Sequence, residues 1–248
     1  MKLLILLSFI IMTKPFNAQD WFINQLQQPR VAAANMKRYN AIESWFTDKN
    51  LGFPSDKIFW RVFKWNKVME LWAYSSDSGK YIMIKSLPIC ETIGDLGPKR
   101  RQGDLQIPEG FYIIENFNPQ SKYHLSLRIS YPNKSDSILG YSSELGGDIY
   151  IHGGCETIGC LPMTDTLIES IYLVNIYSRS VGQENIPIHI FPTKLTVNNF
   201  NKMKKEYFIG RQDILDFWMN LKEGYDYFDK KKQLPIIEIN DEGKYLFF

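Results

Sequence analysis

The sequence predicts a mainly β body, sandwich-like or barrel-like, with helices added at both ends, α+β overall. Three observations carry that expectation. Short apolar runs recur between turn residues from Lys57 to Phe191, while helical spacing is concentrated in the flanks. Aromatic residues make up 15% of the chain, which suits a β-rich core with aromatic grooves. The length, 248 residues, is enough for one large domain or one domain with helical additions.

Each element has its own signal. Residues 29–50 read as a helix because Val31, Ala34, Tyr39, Ile42, Trp45 and Phe46 fall at roughly helical spacing, and Gly52-Phe53-Pro54 stops it. Strands are expected at 57–64, 68–74 and 80–86, with turns at Asn66-Lys67 and 75–79, which makes a β-meander. From Cys90 to Gly110, glycines, prolines and charges specify a long loop, and loops of that length are often functional. Strands resume at 111–116 and 122–130. In the second, Tyr123, Leu125, Leu127 and Ile129 alternate with His124, Ser126 and Arg128. A further strand, 148–152, leads into a glycine-rich loop bearing cysteines. Thr166 with Glu169 reads as a capping box opening a helix to about Tyr177, and Ile186, Ile188 and Ile190 mark a last core strand. The tail from Thr193 is helical and charged, anchored by Phe200, Phe208, Phe217, Trp218 and Leu221, and ends in a strand-like 235–239.

The N-terminus reads as a targeting segment rather than part of the fold. Lys2, the largely apolar run 3–12 and the exit Asn17-Ala18-Gln19 have the order of a secretory signal peptide. The mature chain is expected to begin near Gln19 and to reside outside the cytoplasm, secreted or periplasmic, without stable membrane insertion. A net charge of +2 argues against a dedicated nucleic-acid partner. The chain holds three cysteines, Cys90, Cys155 and Cys160, so at least one thiol stays free of an intrachain bridge. In an oxidising compartment a free thiol is a liability unless it is used, which makes one of them a nucleophile candidate. Cys90 and Cys155 could pair as a structural bridge, which spacing alone does not establish.

The chemistry concentrates in Ile151-His152-Gly153-Gly154-Cys155-Glu156-Thr157-Ile158-Gly159-Cys160. A strand end delivers an imidazole, glycines allow tight turns, and a second Gly-Cys pair precedes a helix. A thiol needs a nearby base or a positive field to react as thiolate, and His152 can reach Cys160 across such a loop. Three readings fit the spacing: a structural turn, a metal site using His152, Cys155 and Cys160, and a Cys/His catalytic pair. The metal reading lacks an evident fourth ligand, and a papain-like order of nucleophile and partners is absent.

The segment resembles the signature of YkuD-type L,D-transpeptidase catalytic domains, in which an Ile-His-Gly strand end precedes a Gly-Cys nucleophile. It is most similar to their YafK-like branch, which reads His-Gly-x-Cys-x-x-x-Gly-Cys. Leu87-Pro88-Ile89-Cys90, Leu96-Gly97-Pro98-Lys99, Gly103-Asp104, Pro108-Glu109-Gly110-Phe111-Tyr112, residues 118–126 and Tyr131-Pro132-Asn133 extend the likeness across about 80–192. The resemblance implies a catalytic domain at 79–192; with the residue patterns above, the chain divides into a signal peptide at 1–18, a helix and β-meander at 19–78, that domain, and a helical extension at 193–248. The resemblance also implies Cys160 as nucleophile, His152 as proton donor and acceptor, and the Gly159 and Cys160 N–H groups as oxyanion donors. Ile158 stands where most YkuD-type enzymes carry a second histidine, which leaves the reaction outcome open.

The implied partners are peptidoglycan stem peptides and a peptidoglycan-attached protein, and no cofactor or metal is called for. His124 and Arg128 are candidates to line the groove, with Arg128 meeting a stem-peptide carboxylate, although a hydrogen-bonded structural histidine fits His124 equally. Lys99, with Arg100 and Arg101, could attract an anionic peptide. His189, between two isoleucines, and Lys230–Lys232 read as structural and surface residues. A wall-binding module that kept the fold and lost turnover is the competing class, distinguished by an unreactive Cys160.

Overall fold

The computed structural model describes residues 18–207 and 210–248, so the expected signal peptide lies outside the described residues apart from Ala18, as does the anchor Phe208. Two helices come first, α1 (Ala18–Leu26) and α2 (Pro29–Thr47). Pro29 suits the first turn of α2, where an N–H would go unpaired anyway. Val31, Ala34, Ile42 and Phe46 form its buried stripe.

The meander follows as β1 (Ile58–Phe63), β2 (Val68–Ser75) and β3 (Lys80–Pro88), paired antiparallel in sequence. After a long loop come β4 (Gly110–Asn118), β5 (Ser126–Ile129), a short helix α3 (Lys134–Leu139), β6 (Tyr150–His152) and β7 (Leu161–Pro162). Then α4 (Asp165–Ser180) and β8 (Ile186–Phe191) lead to α5 (Val197–Tyr207), α6 (Gln212–Lys231) and the hairpin β9 (Ile237–Ile239) and β10 (Tyr245–Phe247). No helix among the described residues is long and apolar enough to cross a membrane.

The α+β expectation holds. Strands β1 to β8 join one eight-stranded sheet, in the order β3-β2-β1-β8-β4-β5-β6-β7. Its central strand β8 runs parallel to β1 and antiparallel to β4. Strand β1 is buried along its whole length because both sheet faces are covered. Ile58, Trp60 and Val62 pack in the core shared with α2 and α4. Phe63 joins a second cluster with Phe217, Trp218 and Tyr225 of α6.

Two expectations need correcting. The strand predicted over 122–130 is regular only at Ser126–Ile129. Upstream, the Tyr123 N–H turns back to Ser121 Oγ, and His124 takes a left-handed φ of 65°, which breaks the extended path. Helix α4 is capped by Thr164, whose side chain accepts from Leu167 N–H, and not by Thr166. Such a cap contributes about 1 kcal/mol. Glu169 is thereby freed from capping duty and points into the protein.

Buried charge fixes the long loop. Lys64 Nζ reaches Glu109 Oε1 at 2.9 Å and the carbonyls of Gly97 and Ile107 at 2.8 and 2.9 Å. Trp218 Nε1 of α6 donates to Glu109 Oε2 at 2.6 Å. Every group in this network finds a partner, which is what makes buried charges tolerable.

Candidate active site

The site lies at the sheet edge formed by β5, β6 and β7. Ile151 and Leu161 are Cα partners in the parallel pair and both are fully buried on the core side. Alternation turns their neighbours, Tyr150 and His152 on one strand and Cys160 beside the other, toward the opposite face. Extending the register by one residue sets Cys160 beside Tyr150. The His152 and Cys160 backbones are then about 8 Å apart, with side chains on one face. Both residues line a cavity of about 740 Å³.

The imidazole has a defined orientation. His152 Nδ1 lies 2.7 Å from the carbonyl oxygen of Gly153, which can only accept, so Nδ1 carries the hydrogen and Nε2 is left as acceptor. The Tyr123 ring lies over the imidazole, with centroids 4.6 Å apart and planes at 34°. His152 is accordingly only 3% exposed. Burial pushes its pKa down, partly offset by the Gly153 carbonyl. Gly153 must be glycine. A Cβ there would sit 2.6 Å from Asp165 Oδ1 and 2.7 Å from the Tyr123 carbonyl.

Cys160 is the free cysteine, because Cys90 and Cys155 form a disulfide with Cα atoms 5.3 Å apart. The bridge also takes Cys155 out of any metal set with His152 and Cys160. The Cys160 thiol receives Tyr150 N–H at 3.5 Å and donates to the Asp148 carbonyl at 3.7 Å; it makes no hydrogen bond to His152. Burial pushes the thiol pKa up, opposed by the Tyr150 N–H, reinforced by the Asp148 charge and opposed again by Lys99. Imidazole shifted down and thiol shifted up both favour the uncharged forms.

Thr157 organises the turn. Its Oγ1 accepts from Gly159 N–H at 3.1 Å and Cys160 N–H at 2.8 Å, and donates to the Cys160 carbonyl at 2.9 Å. The two N–H groups expected to serve an oxyanion are therefore held by this hydroxyl at rest. Ile158, at the loop tip, is 78% exposed.

The remaining candidates are placed as follows. Lys99 lines the cavity, but its ammonium is held by Asp104 Oδ1 at 2.7 Å and the Arg101 carbonyl at 2.8 Å. Arg128 faces Glu115 at 3.5 Å and Asp148 at 3.7 Å, outside the cavity lining. His124 also lies outside that lining, and its Nε2 is 3.1 Å from Glu169 Oε1. Sequence reasoning gives Tyr123, Thr157 and Glu169 no role in the site. Thr157 stood inside the motif, whereas Tyr123 and Glu169 reach the site only through the fold.

No family model matches the chain. It is 33% identical over 191 residues to the protein named "Putative L,D-transpeptidase YafK" in Escherichia coli K12, covering 76% of this chain and 73% of that one. The chain belongs to the YafK family of L,D-transpeptidases. The O157:H7 strain has a relative of the same name, matched at the same identity and coverage. Among solved structures, the YafK-family chain has a partial likeness to the helical cell shape determining protein Pgp2 of Campylobacter jejuni. There the TM-score is 0.45 and the identity 19%, over 81% of this chain and 80% of that one. Bd1075 of Bdellovibrio bacteriovorus gives a TM-score of 0.40 at 18% identity, over 68% of this chain and 59% of that one.

Proposed function

We propose that this protein is a cell-envelope enzyme, secreted or periplasmic, that acts on peptidoglycan stem peptides through a thioacyl intermediate on Cys160. Family membership supports the reaction class. The hydrogen bond from His152 Nδ1 to the Gly153 carbonyl carries the assignment of roles, because it leaves Nε2 as the acceptor nitrogen of a residue that lines the same cavity as the free thiol.

The reaction runs in two halves. Cys160 Sγ attacks an amide carbonyl carbon of the stem peptide while His152 Nε2 takes the thiol proton. The carbonyl π electrons move to oxygen, and the oxyanion needs donors. Gly159 and Cys160 N–H supply them once the Thr157 hydroxyl turns away. Collapse breaks the C–N bond, His152 returns its proton to the departing amine, and the acyl group remains on sulfur. An amine of a second stem then attacks the thioester, yielding a new amide and free thiol. Water in its place yields a carboxylic acid.

Hydrolysis of cross-links, or of amides joining a protein to peptidoglycan, uses the same site. The exposed apolar Ile158, in place of the second histidine that most YkuD-type enzymes carry, keeps that outcome in view. Incubating purified muropeptides with wild type and with Cys160→Ala tests the proposal. Product from wild type only is expected, and equal product from both would end it.

A further inference from the structure

Tyr123 is held in place by groups remote from the thiol. Its carbonyl accepts Gly153 N–H at 2.9 Å, which joins the Tyr123 loop to the turn that orients His152. Arg30 Nη1, from α2, donates to the carbonyls of Ser121 at 2.6 Å and His124 at 2.7 Å. Between these tethers His124 takes its left-handed φ of 65°, a conformation that a side-chain-bearing residue keeps only when its surroundings impose it. The constraint is visible: His124 Nε2 lies 3.1 Å from Glu169 Oε1, and Glu169 Oε2 accepts from Arg38 Nε at 2.8 Å. Glu169 is 6% exposed, so these two side chains are what stand in for its lost water.

We propose that Glu169 is a positioning residue: through His124 it fixes the loop that holds the Tyr123 ring against His152. This rests on the reading of His152 as the proton-transferring group and gives His124 a role that needs no contact with substrate. The relay also gives α2 a part in the site, since Arg30 and Arg38 both belong to it. Loosening the loop uncovers the imidazole, which then binds a proton more readily.

Titration of the His152 ring by NMR tests this directly. The chain has three histidines; burial pushes the His189 pKa down to about 3, so its titration falls well below neutral pH, and the His124→Asn variant identifies the His124 signal. Glu169→Gln, His124→Asn and Tyr123→Ala are each expected to raise the His152 pKa by about 0.5–1, the equivalent of one aromatic contact. They are also expected to slow Cys160-dependent product formation by about three- to tenfold. Tyr123→Phe keeps the ring and is expected to titrate as wild type. His124→Asn accompanies Glu169→Gln because Asn accepts the left-handed backbone but is too short to reach the carboxylate. A wild-type titration in Tyr123→Ala, or in folded Glu169→Gln and His124→Asn, overturns the proposal even if turnover depends on Cys160. Shifted titrations with no Cys160-dependent product would overturn the functional reading instead, leaving the relay in place.

Discussion

The two walls of the cavity are built by different means. The wall carrying Cys160 is held by neutral hydrogen bonds, chiefly those of Thr157 Oγ1, and by one covalent anchor, the Cys90–Cys155 disulfide. The facing wall, around 99–109, is held by charge. Asp104 takes Lys99 at 2.7 Å and the N–H groups of Arg100 and Arg101 at 2.8 and 3.0 Å, and Glu109 takes Lys64 and Trp218. Burial pushes the Asp104 pKa up, but Lys99 and the backbone N–H groups outweigh it and leave the carboxylate below its usual range. Neutral bonds exchange partners at small cost, whereas a buried charge that loses its partner is expensive. Under the proposed roles, the Cys160 wall is the side able to rearrange when substrate arrives, and the charged wall is the fixed surface against which it does so.

Removing the anchor is the strongest way to break this contrast. Cys90→Ser with Cys155→Ser opens a link between residues 65 apart in sequence, and the loop-entropy relation predicts a loss of about 4 kcal/mol of stability. Denaturant unfolding measures it, and a loss near zero would mean that the Thr157 hydrogen bonds hold the Cys160 wall without the bridge. Glu109→Gln leaves Lys64 buried without a countercharge and is expected to cost about 3 kcal/mol in the same assay. A smaller cost than Thr157→Val would reverse the ranking of the walls. Thr157→Val removes the hub without changing side-chain shape. It is expected to cost about 1 kcal/mol of stability and to change turnover about tenfold or less, read as kcat against KM. The direction of that change is informative. Faster turnover means the hydroxyl competes with the oxyanion, and slower turnover means its main effect is to shape the turn.

How much of this was legible in the sequence depends on whether the cause is local. Helix α2 and the meander were readable because Val31, Ala34, Ile42 and Phe46, and the runs in β1 to β3, carry their own periodicity. The His152–Cys160 segment was readable as a motif, and one cavity holds both side chains. The alternation through Tyr123 and His124 misled because residues can alternate in character without a partner strand, and here Arg30 and Glu169 hold that stretch as a loop. Thr166 and Glu169 matched a capping pattern, but Thr164 lies where the chain actually enters the helix. The carbonyl that orients His152 leaves no trace in a sequence, since every residue has one.

The central claim is that the substrate's acyl group passes through the sulfur of Cys160. Intact-protein mass spectrometry after rapid acid quench with muropeptide substrate, followed by peptide mapping, tests it most directly. The expected result is a transient acyl adduct on the Cys160 peptide, absent in Cys160→Ala and strongly diminished in His152→Ala. Turnover by the wild type with no adduct on that peptide at any quench time, and undiminished turnover in Cys160→Ala, would contradict it.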